Sequence, residues 1–265
     1  MPADQPLREE IQSIWNQNAD HWDEKMGEGN HFHKTLIGPT QKRLLDLQPE
    51  ELVLDIACGN GQFAREMARL GARVVACDVS ERMIALAQKR SEELNDRIAF
   101  LVLDATDNTQ LQKLAEYRFD AAVCTMAFMD MLTLETLLQF LPQVLKKSGR
   151  FVFSECHPCF NSGEFALLQE EEDREGKIVA RQGVKIYDYI LPSTKKGLAM
   201  AGQPEPHHYF HRPLSLLLDT CFQAGFVLDA LVEPVLGEHA RAGKLWDAVY
   251  RDIPPALVAR LRLSK

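Results

Sequence analysis

Val53-Leu54-Asp55-Ile56-Ala57-Cys58-Gly59-Asn60-Gly61-Gln62-Phe63 is the stretch that decides the fold. Its apolar first half predicts a buried strand, the glycines predict a tight turn, and the residues after them predict a helix. In an open parallel sheet, ligands bind beyond the carboxyl ends of the strands, and the first strand–helix turn is the usual place. The stretch therefore predicts an α/β sheet and also where its ligand binds.

The same alternation of strand and helix continues along the chain. Short apolar runs predict strands at 52–57, 73–77, 98–103, 119–126 and 150–155. Helical periodicity predicts amphipathic helices at 62–70, 80–94 and 134–145. Continuous apolar strands that alternate with amphipathic helices are typical of a parallel sheet covered on both faces.

The flanking segments predict a helical cap and a late insertion in a single α/β domain. An N-terminal helix is indicated by apolar residues at helical spacing, followed by a loop at 27–33 and a helix at 39–47. Past Cys156 the rhythm is lost up to residue 212, apart from an alternating stretch at 185–191 that predicts one extra strand. A helix from Pro213 and strands at 226–232 and 256–263 complete the chain. The predicted parts are an N-terminal helical lid at 1–38, a cofactor-binding core at 39–156, a substrate-side insertion at 157–212 and the C-terminal part of the sheet at 213–265.

Composition excludes several classes of protein. The formal net charge is −8, so an acidic surface makes bulk electrostatic capture of nucleic acid unfavourable. No stretch approaches the ~20 apolar residues that span a bilayer, and the first ten residues are polar. The six cysteines are expected to be reduced thiols of a cytoplasmic protein. We expect a small-molecule partner, no nucleic acid and no membrane insertion, and leave the oligomeric state open.

Three acidic residues end three successive predicted strands. Asp55 lies four positions before Gly59, where a carboxylate disfavours a pyrophosphate and suits a positive group such as an ammonium. Asp78 ends the second strand, where a carboxylate can accept hydrogen bonds from both ribose hydroxyls. Asp104 ends the third, where it can accept from an adenine amine while the Ala105 N–H donates to a ring nitrogen. A single aspartate there is more often a helix cap or turn residue, but all three together predict a pocket for an adenosine that carries a cationic amino acid.

These motifs resemble those of class I S-adenosylmethionine-dependent methyltransferases. The resemblance covers most of residues 40–156 through Asp55–Gly61, Asp78, Asp104 and Phe119–Val123. It resumes at 209–263, where the late motifs resemble those of small-molecule members of the ubiquinone and menaquinone biosynthesis type. The resemblance implies a Rossmann-like, mostly parallel seven-stranded sheet with an antiparallel last strand, and S-adenosylmethionine as cofactor. It also implies that Trp22, in the lid, packs near the methionine part. The predicted cofactor-binding residues are Asp55, Ala57, Gly59, Gly61, Asp78, Val79, Met83, Asp104, Ala105, Met126 and Trp22.

Two residues are candidates for catalysis at the acceptor. His157 follows the fifth strand, and as a neutral imidazole it could take a proton from a hydroxyl, thiol or amine. Tyr209 follows the insertion and could face the acceptor. The alternatives are a histidine satisfied in a turn and a solvated loop. Cys156 and Cys159 could form a zinc site with His207, His208 and His211, but buried thiols are the favoured interpretation and no metal is predicted.

The sequence supports one main hypothesis and two alternatives. The main hypothesis is an S-adenosylmethionine-dependent methyltransferase with a small-molecule acceptor, with O- or N-methylation favoured and C-methylation left open. The first alternative is an NAD(P)-dependent oxidoreductase, which rests on the match of residues 59–64 to the loose pattern GxGxxA. The second is a non-catalytic, cofactor-binding partner subunit.

Overall fold

A seven-stranded sheet runs through the computed structural model, which describes residues 5–264. In chain order the strands are β1 Leu52–Ile56, β2 Arg73–Asp78, β3 Ile98–Val102, β4 Phe119–Thr125, β5 Leu145–Cys156, β6 Glu164–Arg174, β7 Lys177–Tyr187, β8 Ser193–Gly197, β9 His207–His211, β10 Phe226–Val232 and β11 Ala256–Leu263. The helices are α1 Gln5–Met26, α2 Gly38–Leu45, α3 Gln62–Arg69, α4 Glu81–Arg90, α5 Asn108–Leu111, α6 Glu135–Val144, α7 Leu214–Gln223 and α8 Leu245–Val249.

The strand order of the main sheet is β10-β11-β5-β4-β1-β2-β3. Strands β1 to β5 pair in parallel, whereas β11 is antiparallel to both β5 and β10. The predicted fold, including its antiparallel last strand, is confirmed. The order reverses between β1 and β4, and ligands of open α/β sheets bind at such a switch point.

Helices bury the apolar residues of both sheet faces. On one face, Leu137, Leu138 and Leu141 of α6 pack with Phe151 and Phe153 of β5 in one buried cluster. The other face is covered by residues of α2 and α3, which bury their apolar sides against β1, β2 and β4. Burial on both faces explains why β1 and β4 read as nearly continuous apolar runs. Within residues 5–264 no helix is both long enough and apolar enough to span a bilayer.

The N-terminal cap differs from its prediction at the segment 27–33. Helical structure begins at His31 and continues through a π-helical stretch, His33–Ile37, into α2. The side chain of Asn30 accepts a hydrogen bond from the backbone N–H of His33 at 2.9 Å, as a helix N-cap does. The loop prediction missed this cap and was wrong for residues 31–33.

The insertion contains two antiparallel ribbons rather than one extra strand. Strands β6 and β7 form a hairpin whose turn places Glu175 and Gly176 at positive φ, and β8 pairs with β9. The predicted strand at 185–191 covers only the end of β7 and the turn after it. The outer half of the hairpin is exposed on both faces, so it lacks the one-sided alternation that reveals a half-buried strand.

Candidate functional site

A cavity of about 760 Å³ lies at the carboxyl edge of the parallel strands, beneath α1 and the insertion. Its size lies within the range of small-molecule sites, ~300–1,000 Å³. Most of the residues predicted to form the site line it: Trp22, Asp55, Ala57, Gly59, Asp78, Val79, Met83, Asp104, Ala105, Met126 and Tyr209. Gly61 and His157 do not belong to its lining.

Asp55 is the most unusual group in the cavity. Its side chain is buried, and neither carboxylate oxygen makes a hydrogen bond of normal geometry. Burial, reinforced by the charge of Asp78, raises the pKa of Asp55 to about 8. A buried acid without a partner is costly unless a cation joins it, so the position fits an ammonium group.

Asp78 organises the backbone around the glycine turn. One carboxylate oxygen accepts from the Gly59 N–H at 2.9 Å, and the other accepts from the Ser80 N–H at 2.9 Å. Burial raises the pKa of Asp78, and these backbone donors oppose the shift. Each carboxylate oxygen keeps a lone pair, so the group can still accept from a pair of hydroxyls.

The third acid, Asp104, lines the same cavity. Thr106 donates to one oxygen of Asp104 through its N–H at 2.8 Å and its hydroxyl at 2.7 Å. Ala105 is buried beside it, and Met83, on α4, lines the same part of the cavity. The ends of β1, β2 and β3 therefore present one carboxylate each to a single continuous space.

The two glycines of the turn do different things. Both have positive φ, +54° at Gly59 and +72° at Gly61. A Cβ on Gly59 would meet nothing within 4 Å, so this backbone is open to a ligand. A Cβ on Gly61 would lie 3.0 Å from the Phe100 ring and 3.1 Å from the Ala87 methyl, so this glycine lets α3 pack closely.

The cavity lining also includes several apolar residues and a small polar group. Met131, Phe165 and Met200 belong to the apolar part of the lining. Asp130, His207 and Tyr209 form the polar group, with the His207 and Tyr209 rings 4.3 Å apart between centroids.

His157 lies outside the cavity and both of its ring nitrogens have partners. Nδ1 accepts from the Cys159 N–H at 3.1 Å, so Nε2 carries the proton and donates to Glu233 Oε1 at 2.7 Å. The ring is buried against Phe160, and burial lowers its pKa. The geometry matches the histidine satisfied in a turn and gives no support to the predicted catalytic role.

We expect His157→Ala to destabilise the fold and leave the site intact. Loss of the buried ring leaves the Cys159 N–H without its partner, which costs about 1–3 kcal/mol. The measurement is urea unfolding together with calorimetric binding of S-adenosylhomocysteine. A variant of unchanged stability and weakened ligand binding would contradict this structural role.

The cysteines and histidines considered for zinc are directed elsewhere. Cys156 lines the cavity, and Cys159 lies 3.4 Å from the Tyr189 hydroxyl. His211 is engaged by Ser162 and the Tyr189 carbonyl. Within the described residues, 5–264, no group of three or more His, Cys, Asp or Glu side chains is arranged to hold a metal ion.

Sequence reasoning did not predict that Asp130 and His207 line this cavity. Asp130 follows β4 in a short 3-10 turn, Phe128–Asp130. His207 was weighed only as a zinc ligand. A polar residue one turn beyond a buried strand was the available signal for Asp130.

Comparisons with known proteins show which proteins the chain resembles. Residues 53–149 match the family model described as a methyltransferase domain. A demethylmenaquinone methyltransferase of Clavibacter sepedonicus is 32% identical over 55% of this chain and 58% of its own length. A ubiquinone biosynthesis O-methyltransferase of Hydrogenovibrio crunogenus is 22% identical over 70% of this chain and 75% of its own length. The structure of an S-adenosylmethionine-dependent methyltransferase from Mesorhizobium loti shares the fold, with a TM-score of 0.68 and 23% identity over 84% of this chain and 96% of its own.

Proposed function

We propose that the chain, which matches the methyltransferase family model over residues 53–149, transfers the methyl group of S-adenosylmethionine to a small-molecule acceptor. S-adenosylmethionine is the cofactor of this fold and family. The observation that carries the proposal is Asp55, a buried acid whose two oxygens make no hydrogen bond of normal geometry and which lines the cavity together with the open backbone of Gly59.

The residues at the donor end fit the three parts of the cofactor. Asp55 would pair with the amino group of the methionine moiety, and Gly59 would let that moiety approach the backbone. Asp78 would accept from the ribose hydroxyls. Asp104 and Ala105 would bind the adenine edge, with Met83 against its face.

When bound, the cofactor supplies an electrophilic methyl group on a positively charged sulfur. The chain contributes alignment and exclusion of water. Polar contacts attach α1 to both the insertion and the core: Asn18 exchanges two hydrogen bonds with the Glu205 backbone of the insertion, and Asp23 accepts from Asn60 of the core at 2.9 Å. Trp22 is held by Gln203, since its indole N–H donates to that side chain at 3.2 Å.

The acceptor is proposed to be a small, largely apolar molecule with an oxygen or nitrogen nucleophile, and C-methylation stays open. The apolar wall around Met131, Phe165 and Met200 suits such a molecule. One relative is named a demethylmenaquinone methyltransferase and the other a ubiquinone biosynthesis O-methyltransferase. Both names support an acceptor of the same chemical class. The net charge of −8 argues against a nucleic acid acceptor.

The oxidoreductase alternative conflicts with the site chemistry. A dinucleotide would bring two phosphate groups to the glycine turn. The carboxyl groups of Asp55 and Asp78 already lie close together there and would repel them. A non-catalytic partner subunit would keep the donor site but would not need the polar group formed by Asp130, His207 and Tyr209.

Thermal unfolding with two ligands tests the proposal. We expect S-adenosylhomocysteine at ~100 times its Kd to stabilise the protein by about 2.7 kcal/mol and so raise Tm by about 5–10 °C. NADH is expected to leave Tm unchanged. Asp78→Asn is expected to weaken S-adenosylhomocysteine binding about 10–100-fold, because a charged acceptor of the ribose hydroxyls is lost.

Asp252→Asn, the same change at an exposed residue outside the cavity, is the matched control and should bind like wild type. A rise in Tm with NADH and none with S-adenosylhomocysteine would contradict the proposed function.

A further inference from the structure

We propose that Asp130 is the base that accepts the proton of a hydroxyl acceptor. Gln203 positions Asp130 indirectly, by holding His207 in the tautomer whose Nε2–H points at Asp130. The inference rests on the proposed methyltransferase function and extends it to oxygen-directed transfer with a named proton acceptor. It follows from a chain of contacts that runs from α1 to the acceptor end of the cavity.

Asp130 lines the cavity, and hydrogen bonds from Arg212 hold the turn that carries it. Its Oδ1 atom is buried and makes no hydrogen bond of normal geometry, and the nearest basic nitrogen is His207 Nε2 at 3.5 Å. Arg212 holds the turn that carries it, donating to the carbonyls of Phe128 at 3.1 Å and Met131 at 2.7 Å. The carboxyl group is therefore held at the cavity wall with one oxygen free to accept.

Gln203 determines the tautomer of His207. Its Oε1 accepts from the Trp22 indole N–H at 3.2 Å and from the Ala199 N–H at 3.3 Å, so its amino group must face the other way. That amino group donates to the Glu205 carbonyl at 2.6 Å and to His207 Nδ1 at 2.9 Å. Nδ1 is thus the acceptor, and the ring proton sits on Nε2, toward Asp130.

His207 stays neutral, so it orients Asp130 and does not compete for the proton. Its side chain is buried, and burial lowers its pKa to about 4. Tyr209 also lines the cavity, but burial and the nearby acids Asp130 and Cys156 raise the pKa of its phenol far above neutrality. Tyr209 can donate a hydrogen bond but cannot act as the base, which leaves Asp130.

The surroundings of Asp130 favour the protonated form of its carboxyl group. Burial, followed by Glu155 and Asp78, raises its pKa well above the usual value for an aspartate. A carboxyl group with a raised pKa binds a transferred proton more tightly than an ordinary aspartate does. The titratable and charged groups that face Asp130 are Glu155 and Cys156 of β5, Cys124 of β4, Asp78 of β2, His207 and Tyr209 of β9, and Arg212.

The step balances without any further reactant. The hydroxyl oxygen uses a lone pair to bond the methyl carbon while its proton passes to the Asp130 carboxylate. The carbon–sulfur bond breaks, and its electron pair stays on sulfur, which becomes a neutral thioether. Products are a methyl ether, S-adenosylhomocysteine and protonated Asp130, which returns its proton to water when the site opens.

The positioning role is tested by ¹⁵N NMR of the histidine rings, without any acceptor. The His207 signals are assigned by their absence in His207→Gln. In wild type we expect a protonated Nε2 and an unprotonated Nδ1 between pH 6 and pH 8. Gln203→Glu replaces the donor to Nδ1 with an acceptor, so the proton should move to Nδ1, and Gln203→Leu should give a mixture of tautomers. An identical Nε2–H tautomer in all three proteins would overturn the role of Gln203.

The base is tested with two probes, 4-propylcatechol as a hydroxyl acceptor and 4-propylaniline as an amine acceptor. We expect transfer to the catechol, and we expect Asp130→Asn to lower kcat about 10²–10⁴-fold while S-adenosylhomocysteine affinity stays at the wild-type value. Asp252→Asn should keep the full rate. In Gln203→Glu, kcat should fall and its pH profile should shift, with KM unchanged.

An undiminished rate in Asp130→Asn, or transfer to the aniline and not to the catechol, would overturn the assignment of Asp130. No transfer to either probe would overturn the inference that the acceptor carries a phenolic hydroxyl group. Failure of the proposed function itself looks different, because S-adenosylhomocysteine then fails to bind wild type at all.

Discussion

Asp55→Asn should make the ligand-free protein more stable at pH 8 and, at the same time, weaken its binding of S-adenosylhomocysteine. The pKa of Asp55 is raised from 3.8 to about 8 by burial in the folded state. A raised carboxyl pKa means that the folded state holds the proton more tightly than the unfolded chain does. The cost of ionising Asp55 in the fold is therefore absent below about pH 4 and grows as pH rises toward 8.

The expected gain in the free energy of unfolding is large for a substitution that replaces one carboxyl oxygen with an amide nitrogen. At pH 7 the cost of the wild-type carboxyl is on the order of 4 kcal/mol, at about 1.4 kcal/mol per unit of pKa difference. The amide carries no charge, so the variant avoids this cost. Urea unfolding between pH 5 and pH 8 measures the effect as a difference between the two proteins that widens with pH. Burial also raises the pKa of Glu155 to about 8, but that group is common to both proteins and cancels in the difference.

Ligand binding should change in the opposite direction. The amide cannot pair with an ammonium group as a carboxylate does, and loss of a charged hydrogen bond costs about 1.5–3 kcal/mol, or roughly 10–150-fold in affinity. Asp252→Asn again serves as the control. A variant that is less stable than wild type at pH 8, or that binds S-adenosylhomocysteine equally well, would contradict the proposed role of Asp55.

Gly61→Ala should destabilise the protein far more than Gly59→Ala, although both place a side chain at positive φ. Each alanine pays about 1–2 kcal/mol for the left-handed backbone. Only the Cβ at position 61 also collides with Phe100 and Ala87, which adds about 1–3 kcal/mol of overpacking. The expected losses of unfolding free energy are thus roughly 2–5 kcal/mol for Gly61→Ala and 1–2 kcal/mol for Gly59→Ala.

The same two variants distinguish the packing role of Gly61 from the binding role of Gly59. The Cβ at position 59 would point into open space in a residue that lines the cavity, so it should weaken S-adenosylhomocysteine binding. Gly61 lies outside the lining, so the Gly61→Ala protein that remains folded should bind normally. Equal stabilities, or weaker binding in Gly61→Ala than in Gly59→Ala, would contradict this division of roles.

The sequence predicted the core of the fold because burial on both faces leaves a strong pattern. Strands β1 to β4 and helices α3, α4 and α6 lie where apolar runs and helical periodicity indicated them, whereas β5 begins at Leu145, five residues before its predicted start. The hairpin of β6 and β7 was missed because its outer half buries neither face. The helical start at His31 was missed because its signal is a single capping side chain, Asn30.

The candidate site divides in the same way. The meeting of Asp55, Asp78 and Asp104 at one cavity was predictable because each lies at or near the end of a recognisable strand, and the fold brings strand ends together. The proximity of Asp130 and His207 was not predictable, because they are 77 positions apart in the chain and meet only through the insertion. His157 looked suitable from its position, but its ring faces Glu233 instead of the cavity.

Proton release on ligand binding is the most direct test of the claim that Asp55 grips a cation in this cavity. Calorimetric titration of S-adenosylhomocysteine at pH 7, in two buffers of different ionisation enthalpy, counts the protons released. With the pKa of Asp55 near 8 before binding, pairing with the ligand's ammonium should ionise it and release close to one proton per complex. The Asp55→Asn protein should release none from this group. Heats that are the same in both buffers for wild type, or an undiminished release in Asp55→Asn, would contradict the account.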